Sequence, residues 1–87
     1  MSWDVASVKP IQNFCIDVHL HDGTHGVFDM KPYLDKGIFQ ELRDPAYFNS
    51  VGIQFGAVTW LHGQEIAPAI LHARLKATEK EQPFPQA

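Results

Sequence analysis

The 87-residue chain is poor in several things that functional classes depend on. It has one cysteine, Cys15, so no internal disulfide can form and no cysteine-based zinc finger can be built. A reducing, cytoplasmic setting is the expectation. No apolar stretch approaches the ~20 residues that cross a bilayer. The opening MSWDVASVKP lacks a basic segment followed by an apolar run, so no signal peptide is read. Positive charge is scarce and scattered over Lys9, Lys31, Lys36, Arg43, Arg74, Lys76 and Lys80, with a net charge of −3. Phosphate neutralisation dominates nucleic-acid affinity, so direct DNA or RNA binding is not expected. The same acidity argues against an anionic membrane surface. There is no G-x-S-x-G elbow, no phosphate-cradling glycine loop and no Cys-x-x-Cys pair. No catalytic set and no cofactor are implied.

What is present is a core. Hydrophobic residues make up 45%, and six Phe, two Trp and two Tyr provide large buried areas. The length suits one domain, taken as residues 1–77 with a disordered polar tail over 78–87. Trp3 to Val8 reads as a first strand. From Phe14 to His21 the period is two: Phe14, Ile16, Val18 and Leu20 alternate with Cys15, Asp17, His19 and His21. Asp22-Gly23 marks a hairpin turn, and THGVFDM returns with Phe28 and Met30 on one face. A three-stranded antiparallel meander is expected.

Pro32 ends that run, and PYLDKG and IFQELRD read as short helical pieces. Asp44-Pro45 reads as a capped helix start. Val51, Ile53 and Phe55 alternate with Gly52 and Gln54 before Gly56 and AVTWL, a second hairpin. HGQEIAP reads as a loop. Pro68 opens a C-terminal helix with Ile70, Leu71, Arg74 and Leu75 at helical spacing. The fold class is therefore α+β: meander, short helices, second β-hairpin, C-terminal helix.

Two segments carry candidate chemistry. His19 and His21 lie two apart on a strand, beside Asp17 and Cys15, and His25 lies across the turn. Zinc accepts imidazole, thiolate and carboxylate, so His19, His21 and His25 form a candidate metal site; the plainer reading is a solvated sheet face. Cys15 lies inside a strand, away from a helix N-terminus, and reads as a small half-buried residue. Asp22, Asp29, Asp35 and Asp44 have local structural roles in turns and caps. The second segment is AVTWLHGQEIAP. There Trp60, Leu61 and His62 can form an amphipathic lip beside Glu65, a candidate binding surface, with core packing of Trp60 as the default.

The series Asp22-Gly23, Gly26, Phe28-Asp29, Pro32, Gly37, Phe39, Leu42, Asp44, Phe48, Val51, Gly56, Val58, Trp60, Gly63, Ile66, Pro68, Leu71 resembles the bacterial domain-of-unknown-function family numbered 2442, from about residue 5 to residue 72. The family often has tryptophan-proline before a polar residue and glycine, where this chain has Trp60-Leu61-His62-Gly63. Glu65 stands where aspartate is usual and His72 where an aromatic is common. The resemblance implies a small α+β fold. Some members carry a helix-turn-helix, and others look like the short partner in toxin–antitoxin-type operons. It carries over no catalytic residue. The expected function is a non-enzymatic protein-interaction or regulatory accessory module, contacting a partner protein or itself. A metal-binding protein using the three histidines and a partner-assisted transcriptional regulator are the alternatives.

Overall fold

The structure is a computed structural model that describes residues 3–81. The chain is α+β. Strands β1 (Val5–Ile11), β2 (Cys15–Leu20) and β3 (His25–Asp29) form the antiparallel meander, in the order β1-β2-β3. Two 3-10 segments follow, Lys31–Tyr33 and Gly37–Arg43, then a single turn of helix, α1 (Pro45–Phe48). A second three-stranded sheet, β4-β5-β6, is built from β4 (Gly52–Gln54), β5 (Ala57–Thr59) and β6 (Glu65–Ile66). Helix α2 (Pro68–Glu81) closes the chain.

The meander follows the alternation of its sequence. Ile16, Val18 and Leu20 are buried, and Asp17 and His19 face outward. The first strand needs one adjustment. Val5 pairs with Leu20 but Ser7 with His19, so Ala6 is an extra residue. That bulge lets both Val5 and Val8 turn inward although they are three apart, an odd spacing no regular strand accommodates. At Gly26 the missing side chain matters. An added Cβ would lie 3.1 Å from Leu75 Cδ2, so α2 closes tightly over β3.

Three of the four aspartates read as structural serve the backbone with their carboxylates. Asp22 accepts from Thr24 N at 2.9 Å, Asp29 from Lys31 N at 2.9 Å and Asp44 from Ala46 N at 3.1 Å. The last is the cap that starts α1.

One core joins both sheets. Ile16, Val18, Phe28 and Met30 meet Leu42, Phe48, Val58, Trp60 and Ile66, with Leu71 and Leu75 of α2 above. Ile70 is half exposed, so the helix docks on Leu71 and Leu75, one turn apart, more narrowly than its sequence suggests.

Three features differ from the sequence reading. Part of HGQEIAP is a strand, β6, paired with β5. Helix α2 continues through Thr78–Glu81, where the tail was expected to begin; Glu and Lys are good helix formers there. The rest of that tail, 82–87, lies outside the described residues. Third, the alternating apolar residues of the second hairpin do not share one environment: Val51 packs against the core, while Ile53 is 42% and Phe55 94% exposed. Among the described residues no helix is long and apolar enough to cross a membrane.

Candidate functional site: the rim of the second sheet

The turn from β5 to β6 places the lip residues. Trp60 N–H donates to Gln64 O at 3.0 Å and Gly63 N–H to Trp60 O at 3.2 Å, closing a tight loop. Trp60 itself turns inward. It is 4% exposed, its ring lies 5.8 Å from that of Phe48, and Nε1 donates to Phe48 O at 2.9 Å. It therefore belongs to the core. Leu61 and His62 are the outward part of the lip, Leu61 at 84% exposure. Glu65 is exposed on β6 opposite Thr59.

Behind this loop lies a polar network that sequence reasoning missed. Gln64 is 1% exposed. Its Oε1 accepts from Tyr47 Oη at 2.5 Å, and its Nε2 donates to Ile38 O at 2.8 Å and Glu41 Oε1 at 3.0 Å. Glu41 Oε2 in turn accepts from His62 Nδ1, while His62 N–H donates to Tyr47 Oη at 2.8 Å. The Tyr47 and His62 rings stack with centroids 5.1 Å apart. Four side chains from three separate segments thus fix the loop that carries Leu61. An ionised carboxylate only accepts, so His62 Nδ1 is the donor in this contact.

The Gln64 hydrogen bond first, then the hydrogen bond and charge of His62, hold the Glu41 carboxyl below its ordinary value of 4.5. The Thr24 amide does the same for Asp22 and the Lys31 amide for Asp29. A carboxyl lowered in the folded state stabilises it above the unfolded-state pKa and loses that contribution as pH falls through the folded value. The urea midpoint is therefore expected to fall as pH drops from about 5 to about 3, and to fall less steeply in Glu41→Gln. Equal slopes for the two proteins would contradict this role for Glu41.

The histidine row is only partly assembled. His19 and His25 are cross-strand partners, stacked at 5.1 Å and 13°, and His19 Nε2 lies 3.7 Å from Asp17 Oδ1. His21 follows the end of β2 and does not continue the row. Among the described residues no group of three or more His, Cys, Asp or Glu is gathered to hold a metal ion. The fifth histidine, His72, anchors α2 instead. It stacks on Trp3 at 4.1 Å and lies 3.2 Å from Asp22 Oδ2. Here the imidazole fills the place of a flat ring.

An open groove with apolar lining lies beside β4. Gly52, Ile53, Gln54, Thr59, Trp60 and Leu61 line a groove of about 530 Å³. At the adjacent turn, Phe55 and Gly56 both have positive φ, 53° and 77°, as a two-residue type I′ turn requires. Gly56 suits that position. An added Cβ would also lie 2.5 Å from Asp4 Cγ, and Gly56 O accepts from Val5 N at 2.9 Å. Phe55 does not suit it, because a bulky L-residue is strained at positive φ. Phe14 has the same conformation, φ 57°, but its ring is packed edge-on against Phe48 at 5.4 Å. The Phe55 ring is 94% exposed, so no packing inside the chain offsets its strain.

Neither the curated proteins nor the solved structures contain a match to the chain. The model of the family described as Protein of unknown function (DUF2442) matches residues 5–77, running past Leu71 through most of α2, and the chain belongs to that family.

Proposed function

We propose that the chain is a non-enzymatic protein-interaction module, a small accessory unit that contacts another polypeptide through the rim formed by Ile53, Phe55 and Leu61. One observation carries this reading: Phe55 combines an unfavourable backbone conformation with an almost fully exposed ring. A residue that costs stability and packs against nothing in its own chain has its use outside the chain. Exposed Leu61 and Ile53 at the adjoining groove extend the apolar patch, and the Glu41–Gln64 network holds Leu61 in place. The regulatory and toxin–antitoxin-type roles implied by the resemblance each need such a contact.

Phe55→Asn separates the two sides of this reading. Asparagine tolerates positive φ and precedes glycine in favoured hairpin turns, so the variant is expected to be more stable by about 1 kcal/mol in urea denaturation. It is also expected to lose partner retention in a pull-down that uses the immobilised chain, with Leu61→Ser behaving alike. If the wild type and both variants retain the same proteins, or none, the reading fails.

A further inference from the structure

The second sheet ends on an open edge. β4 is its outer strand, and among the described residues it pairs only with β5. In a two-residue hairpin the pair beside the turn, Gln54↔Ala57, is the hydrogen-bonded kind and the next, Ile53↔Val58, is not. The N–H and C=O of Ile53 therefore point away from β5. Monomeric sheets usually blunt such an edge with charge, proline or a bulge. From Ser50 to Leu61 there is no Asp, Glu, Lys, Arg, His or Pro, and β4 pairs with β5 without a register shift.

Gly52 is a second, separate sign. A Cβ added there would meet nothing within 4 Å, and its φ lies outside the left-handed region. Neither the fold of the backbone nor packing within the chain calls for glycine. Glycine weakens a strand, and it often marks the close approach of another backbone.

We propose that this edge pairs with the same edge of a second copy, β4 running antiparallel to its counterpart about a two-fold axis at Ile53. The two three-stranded sheets then become one continuous sheet. The proposal rests on the interaction-module reading and names its partner. Charge favours a copy as the occupant. Each chain carries −3, so two copies approach best where charge is sparse, and Ser50 to Leu61 carries none, with Asp4 set to one side at the Gly56 turn. The two-fold register sets Gly52 of one copy opposite Gln54 of the other and Val51 opposite Phe55, an uncharged and self-complementary contact. A standard interface buries about 800 Å² per partner, roughly a seventh of this chain's 5425 Å² surface. A three-residue edge with its flanking Phe55 and Leu61 covers less, so the dimer is reversible, with a dissociation constant on the order of micromolar.

Sedimentation velocity of the full chain from about 1 to about 500 µM is expected to show a monomer–dimer equilibrium. Ile53→Lys sets two like charges at the axis and is expected to weaken it at least about tenfold, with an unchanged circular dichroism spectrum. In a Cys15→Ser background, Ile53→Cys is expected to form a disulfide-linked dimer on mild oxidation. Pairing at the axis puts the two Cα atoms about 5.5 Å apart, within disulfide range. Val27→Cys, exposed on the first sheet, is expected to stay monomeric in that background. A chain monomeric at every concentration, or a dimer that survives Ile53→Lys and cross-links equally at Val27→Cys, overturns the proposal. If the chain is monomeric but Phe55→Asn still loses a retained protein, the second copy is wrong and the interaction reading stands.

Discussion

Trp60→Ala is expected to remove about 4 kcal/mol of folding free energy, most of what a chain of this size has. The indole is 4% exposed, lies against Phe48, and donates from Nε1 to the Phe48 carbonyl at 2.9 Å. Truncation opens a cavity between α1 and the second sheet and leaves that buried carbonyl without its donor. Trp60→Phe separates the two effects. It keeps most of the ring and loses the donor, with an expected cost of about 1.5–2 kcal/mol. Urea denaturation of the three proteins measures both values. A Trp60→Phe midpoint equal to wild type would show that the Phe48 hydrogen bond contributes nothing net. An alanine variant losing under about 2 kcal/mol would contradict the core placement. The effect bears on the rim because Leu61 is the next residue. The inward anchor at Trp60 is what turns Leu61 outward.

The parts of the fold that were legible in the sequence are those set by short-range period or by turn chemistry. Alternation from Phe14 to Leu20 identifies β2 because one of its faces is buried and the other is wet. Asp44-Pro45 identifies α1 because capping needs only neighbouring residues. The bulge at Ala6 was not legible. Val5 and Val8 fit neither period, and only the pairing with β2 shows which residue is extra. Two residues of β6 leave no period to read. The second hairpin shows a different limit. Alternation tells which residues share a face, but not whether anything covers that face, so Ile53 and Phe55 look like core when read from sequence alone. The candidate site was half legible. Leu61 and His62 stand out as an apolar and a titratable residue beside a glycine. Glu41, Tyr47 and Gln64 do not, since each reaches its partner across 15 to 26 residues.

Gln64→Ala is expected to cost about 3 kcal/mol, a large effect for a residue read as part of a loop. The side chain is 1% exposed and makes three hydrogen bonds, to Tyr47 Oη, Ile38 O and Glu41 Oε1. The bonds to Tyr47 and Ile38 are worth about 1 kcal/mol net each, the one to the exposed Glu41 carboxylate adds less because water can replace it, and truncation leaves a cavity where the amide was. Gln64→Met keeps the volume and removes the polar atoms, so its expected loss of about 2 kcal/mol isolates the hydrogen bonds from the cavity. A double-mutant cycle with Tyr47→Phe is expected to give a coupling of about 1 kcal/mol, because both changes remove one shared bond. The methionine variant has a second signature that a simple packing loss would lack. The Gln64 hydrogen bond is the largest cause holding the Glu41 carboxyl low, so its pKa is expected to move back up toward the ordinary value in an NMR titration. The acid limb of the stability curve is then shallower than in wild type, because a smaller difference between the folded and unfolded carboxyl remains for falling pH to remove. A methionine variant as stable as wild type, with Glu41 still titrating low, would mean that the network only solvates these groups and that Leu61 is held by Trp60 alone.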